Sequence, residues 1–111
     1  MQESNNPLIG GPAYAIFVNE LARHLEWTRS LELSAAQPSL EIYRELGARF
    51  HTIKGGAGFF GLRELGDLAG KIEAACENSL NLDISEIKET LASIDRLAQE
   101  IPAPRADLPQ D

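Results

Sequence analysis

The sequence predicts an all-α protein: an antiparallel, up-down four-helix bundle with flexible ends. Three observations carry this. Apolar residues recur at spacings of three and four in four separate segments, which is the period of a helix with one buried face. The links between those segments hold glycine, proline and capping residues, which stop and start helices. No segment alternates apolar and polar residues as a half-buried strand does. Four apolar stripes joined by short links bury one another as a bundle.

Residues 1–12, MQESNNPLIGGP, carry Asn-Asn-Pro and Gly-Gly-Pro. They read as a short tail, with Pro12 suited to the first turn of a helix, where its missing N–H costs nothing. The first helix is expected from Ala13 to about Ala36, with Tyr14, Phe17, Leu21, Leu25, Thr28 and Leu31 as its stripe. Gln37-Pro38-Ser39 breaks it and offers Ser39 as the next N-cap. The second helix runs from Leu40 to about Phe60, with Tyr43, Leu46, Phe50, Ile53, Ala57 and Phe60 inward. Gly55, Gly56 and Gly58 each weaken its last turns by roughly 1 kcal/mol relative to alanine, so tertiary packing must hold that end. The third helix opens just after Gly61, turns Leu62, Leu65, Leu68, Ile72 and Cys76 inward, and ends near Asn78. After a loop over 79–82, Asp83 with Glu86 three residues on has the form of a capping box. The fourth helix carries Ile84, Ile87, Leu91, Ile94, Ala98 and Ile101. Three prolines in the last eleven residues end it near Ile101. The expected organisation is a tail over 1–12, the bundle over 13–101 and a disordered tail over 102–111.

A chain of 111 residues has room for one core. Its 17 acidic and 10 basic residues give a net charge of −7. That charge suits neither nucleic acid, which needs a basic face, nor an anionic membrane surface. No stretch approaches the roughly 18 apolar residues of a membrane span. The first residues lack the basic and apolar regions of a signal peptide. The single cysteine, Cys76, excludes an internal disulfide and a cysteine-built zinc site. These features fit the cytoplasm. His24, His51 and the carboxylates show no metal-ligand spacing, so no metal is expected.

Gly56 to Gly61 match G-x-G-x-x-G. A dinucleotide fingerprint must follow a strand and open a helix, whereas this one closes a helix. His51 carries more chemistry. It follows the core residue Phe50, so it sits about 100° off the stripe, at the boundary or in solvent. Its helical neighbours are Gly47, Ala48, Lys54 and Gly55, with Gly58 one turn further. Such small neighbours admit another protein's backbone close to the imidazole. An imidazole can act as a nucleophile and carry a phosphoryl group. A lysine one turn away stabilises the arriving negative charge. One ring nitrogen attacks while the other holds the proton against an acceptor, and Glu73 in the third helix is a candidate for that acceptor. The plainer reading is a solvated His-Lys pair beside glycines that let helices pack closely. His24 lacks such a neighbourhood and reads as a surface or boundary residue. Trp27 and Cys76 read as packing residues.

The run His51-Thr52-Ile53-Lys54-Gly55-Gly56-Ala57-Gly58-Phe59-Phe60-Gly61-Leu62, continued by Leu65, Leu68, Ile72 and Glu73, resembles the signature of histidine-containing phosphotransfer (HPt) domains. The resemblance covers about residues 13–101, and Gly55 to Leu62 is most similar to the N-terminal phosphotransfer domain of chemotaxis-type histidine kinases. It implies a helical bundle with His51 as the phosphorylated residue, Lys54 as the charge-stabilising residue, Gly55 keeping the approach clear and Glu73 as the partner of the imidazole. It implies a phosphocarrier, not an enzyme, taking its phosphoryl from a histidine kinase catalytic domain or a receiver aspartate and passing it to a response-regulator receiver. Mg²⁺ and ATP then belong to the partners, and no cofactor is expected. One departure is Gly70, where those chemotaxis domains often carry a second histidine.

Two other functions compete. One is a non-phosphorylated adaptor that binds a receiver or kinase and blocks it. The other is an acid–base enzyme using His51 and Glu73, which needs a cleft, whereas a histidine among glycines is expected on a convex surface. A monomer is expected, docking its receiver over Gly47, Ala48, His51, Lys54, Gly55 and Gly58, flanked by Phe59 and Leu62.

Overall fold

The computed structural model describes residues 7–31, 39–77 and 82–104. Four helices run up and down in turn: α1 (Pro12–Arg29), α2 (Leu40–Phe59), α3 (Arg63–Glu77) and α4 (Ile84–Ala98). The described residues contain no strand. The stripes meet as expected, and Tyr14, Leu46, Phe50, Ile53, Leu65, Ile72, Ile87 and Ile94 are fully buried. Burying a side chain of that size contributes roughly 1.5–3 kcal/mol.

The helix starts follow their capping chemistry. Ser39 accepts a hydrogen bond from the Ile42 N–H, and Asp83 accepts one from the Glu86 N–H. Pro12 stands in the first turn of α1. That helix is shorter than its stripe suggested. Thr28 and Ser30 donate their hydroxyls to the carbonyls of Leu25 and Trp27, and such local bonds compete with helix continuation. Leu31 lies beyond the helix, and the expected continuation from 32 to 36 falls outside the described residues.

The ends of the bundle also differ from the expected tails. Pro7–Gly10 forms a 3-10 turn that buries Ile9. Pro102 is tied to the bundle, because Tyr14 donates its hydroxyl to the Pro102 carbonyl. Ile101 lies just past α4, half-buried against the core. The outer parts of both expected tails, the end expected near Asn78 and the loop over 79–81 fall outside the described residues.

Antiparallel register is visible in the cross-helix neighbours. Along α2 and α3, Gly47 faces Cys76, His51 meets Glu73, Lys54 crosses Gly70 and Ala57 faces Gly66. Between α1 and α2, Phe17 lies over Gly56, and the Arg49 guanidinium stacks 4.2 Å above the Trp27 ring.

The glycine-weakened end of α2 is held in two ways. Phe60 packs edge-on against Tyr14 and Phe59, with ring centroids 5.2 and 5.0 Å apart. Gly61 then adopts φ 74°, a left-handed conformation that only glycine takes cheaply. Its N–H bonds to the Gly58 carbonyl, and the Leu62 N–H bonds back to Ala57 at 2.8 Å. This is a Schellman cap. The last glycine of the G-x-G-x-x-G run therefore closes a helix.

Candidate functional site

His51 stands on α2 with 68% of its side chain exposed. Phe50 beside it is buried, so the one-residue step off the stripe carries the imidazole outward as the helical period requires. Glu73 follows the buried Ile72 on α3 in the same way. The antiparallel register brings the two together, with His51 Nδ1 2.8 Å from Glu73 Oε2.

Glu73 has two partners. Its other oxygen, Oε1, lies 2.8 Å from Lys54 Nζ and is shielded from solvent. The side chain as a whole is 18% exposed. Its carboxyl is held below the ordinary glutamate range, first by the Lys54 ammonium and then by His51, against an opposing push from burial. Glu73 is therefore ionised at neutral pH, and a carboxylate only accepts hydrogen bonds. The Nδ1 atom of His51 must carry the proton, which leaves the lone pair of the neutral ring on Nε2.

The small residues around His51 divide into two kinds. A methyl group at Gly55 or Gly58 would meet nothing within 4 Å. At Gly47 it would stand 3.2 Å from Cys76 Cβ, and at Gly56 only 2.5 Å from the Phe17 ring. Gly47 and Gly56 thus serve packing between helices, while Gly55 and Gly58 leave the surface beside His51 open. Ala48 is exposed. Phe59 is 61% exposed and, with the equally exposed Ile16, borders an apolar groove of about 430 Å³ between α1 and α2. Leu62 does not flank this surface. It is 7% exposed because the Schellman turn folds it into the core with Ala57.

The surface is also less convex than expected. A groove of about 700 Å³ runs between α2 and α3 beside His51, with Tyr43 and Cys76 in its wall. Gly47 also lines it. Burial pushes the Cys76 thiol up to about 11, so it stays protonated and unreactive. Among the described residues, no cluster of three or more histidines, cysteines and carboxylates is placed to hold a metal.

Sequence reasoning placed His51, Glu73, Gly55, Gly58 and Phe59 on this surface and missed three features. Ile16 lies off the α1 stripe beside Phe17, and an apolar residue off the stripe was the available signal. The cross-helix pairing of Lys54 with Glu73 has no sequence signal within one helix. His24 was read as unremarkable, yet its Nδ1 accepts a hydrogen bond from Arg49 Nη1 at 3.1 Å.

The family model of the Hpt domain matches residues 13–103. No curated protein and no solved structure matches the chain. Residues 13–103 take in all four helices but the first residue of α1, and the chain belongs to the Hpt domain family, whose members are phosphocarriers of two-component signalling.

Proposed function

We propose that His51 is the residue on which this Hpt domain carries the phosphoryl group, with Nε2 as the nucleophile. The observation that carries the reading is the Nδ1–Glu73 contact on an otherwise exposed imidazole. It leaves one nitrogen with a free lone pair, facing solvent, on a surface that Gly55 and Gly58 keep clear. Nε2 attacks the phosphorus of a receiver's aspartyl phosphate or of ATP bound by a kinase. The bond from phosphorus to the leaving oxygen breaks, and the aspartate carboxylate or ADP departs. Nδ1 keeps its proton, and Glu73 balances the positive charge that develops on the ring. Lys54, one turn along α2, adds positive charge where the phosphoryl arrives.

Hpt domains pass phosphoryl groups to receiver domains. The receiver in this proposal docks over Ala48, His51, Lys54, Gly55 and Gly58, with Phe59 and Ile16 as the apolar flank. The Gly55-to-Leu62 segment supports a place near the phosphotransfer domains of chemotaxis-type kinases, either alone or within a longer kinase. Mg²⁺ and ATP come from the partners, and the unpaired Cys76 fits the reducing cytoplasm. Among the described residues, no helix is long and apolar enough to cross a membrane.

Incubating the protein with a phosphorylated receiver, then with ATP alone, and measuring intact mass tests the reading. The receiver should add one acid-labile phosphoryl group, and ATP alone should add none. Binding without any mass gain would establish the adaptor instead.

A further inference from the structure

We propose that the groove between α2 and α3 is a binding site for a small uncharged aryl carbonyl compound, and that its occupant closes His51 to a partner. The binding stands on the groove alone. The closing rests on the proposed function, in which His51 is the phosphoacceptor.

The first observation is a buried polar group that the chain leaves unmatched. Tyr43 is 2% exposed, yet its hydroxyl finds no hydrogen-bond partner among the described residues. A buried hydroxyl without a partner is costly, so packing alone gives no reason for tyrosine over phenylalanine. Tyr43 and Cys76 both line the groove. Burial, and then the nearby Cys76, pushes the phenol above its ordinary range. The hydroxyl therefore lies on the Cys76 side, at the floor of the groove, and stays an O–H donor at neutral pH. It calls for an acceptor.

The second observation is size. The groove holds about 700 Å³, within the roughly 300–1,000 Å³ of small-molecule sites. Leu40, Ala48 and Cys76 give it apolar surface on which a ring can lie.

The third is charge. Arg44 and Glu77 stand in the lining with opposite signs, and the Glu73 carboxylate is already answered by Lys54 and His51. These charges cancel, so neither an anion nor a cation is favoured. An uncharged ring bearing a carbonyl fits, with its oxygen accepting from Tyr43. His51 lines the same groove. An occupant thus stands against the imidazole, in space that a receiver needs for in-line approach.

The test titrates acetophenone into the whole chain and follows backbone amide signals by NMR. Saturable shifts are expected at Gly47, Ala48, His51 and Cys76. Tyr43→Phe removes only the donor and should weaken binding about fivefold, the worth of one hydrogen bond of about 1 kcal/mol. The same variant should melt no lower than the parent, because the lost hydroxyl had no partner. Ala48→Leu, at an exposed position, fills the groove and should abolish the shifts. Benzoate and benzylammonium, charged probes of similar size, should bind more weakly than acetophenone. Shifts spread over the whole surface, or equal affinity in the parent and Tyr43→Phe, overturn the proposal. So does tighter binding of either charged probe. A Tyr43→Phe variant that melts lower also overturns it, since the hydroxyl then has a partner within the fold. Phosphoryl acceptance from a phosphorylated receiver is measured with and without acetophenone. Acceptance should fall in proportion to the fraction bound, and the probe should leave Ala48→Leu at its own rate. Binding with undiminished acceptance overturns the closing of His51. If the parent takes up no phosphoryl group without the probe, the proposed function fails, while the titration still decides the groove.

Discussion

Replacing Gly55 by leucine separates the two uses of a glycine in α2. A Cβ at this position meets nothing within 4 Å in the protein itself, and the position is exposed. Leucine forms helix better than glycine, so the variant should gain roughly 0.5–1 kcal/mol of stability. For a domain near this size that raises the melting temperature by roughly 2–6 °C. The receiver, however, must bring its aspartyl phosphate in line with His51 Nε2. A leucine one turn from the imidazole holds the partner off, and a displacement of about 1 Å costs on the order of 10²-fold in rate. The assay pairs thermal melts with quenched-flow transfer from a phosphorylated receiver. Gly55→Ala should fall between the parent and leucine in transfer while sharing the gain in stability. A Gly55→Leu variant that melts higher and still transfers at the parent rate would refute the reasoning, because no partner would then pass over that position.

Gly56→Ala should do the opposite. The added methyl meets the Phe17 ring at 2.5 Å, so an overpacking cost of about 1–3 kcal/mol outweighs a helix gain of about 1; denaturant melts should show a net loss of up to about 2 kcal/mol, relieved by Phe17→Leu. Glu73→Ala should slow phosphoryl acceptance severalfold while circular dichroism and melting stay near the parent, because the carboxylate selects the attacking nitrogen and lies outside the core; an unchanged rate would dismiss it as the orienting group. The proton affinity of His24 is lowered, first by burial and then by Arg49, with Glu20 and Glu45 opposing. Neutral His24 is thus favoured in the folded state, so its contribution is full above the unfolded value of about 6.5 and is lost as pH falls through the lower folded value. Denaturation across that window should show stability falling with pH, with a shallower fall in His24→Gln.

The helices were legible because their stripes and caps are local. Ser39 and Asp83 cap as their residue types predict, and the stripe of α2 supplies more buried core residues than that of any other helix. The end of α1 was misread because Leu31 continues the period while the hydroxyls of Thr28 and Ser30 bond back to the chain before it. Within the site, one-residue steps from Phe50 and Ile72 placed His51 and Glu73 at adjoining helix boundaries, so their meeting followed from antiparallel register. The glycines were harder. Sequence treated Gly47, Gly55 and Gly58 alike, yet only the position of Cys76 shows that Gly47 is a packing residue. Leu62 carries two expectations that exclude each other, inward in the third stripe and outward beside the docking face, and its burial after the left-handed turn at Gly61 agrees with the first. The pairing of Lys54 with Glu73 crosses from α2 to α3, so no spacing within one helix announces it.

The measurement that bears most directly on the account is the site of the phosphoryl group within His51. Nitrogen NMR of the phosphorylated protein distinguishes the two ring nitrogens, with His51→Gln as the control. The account predicts phosphorus on Nε2, a proton retained on Nδ1 toward Glu73, and no incorporation in His51→Gln. Phosphorus on Nδ1, or phosphate persisting on His24 in the His51→Gln variant, would contradict it.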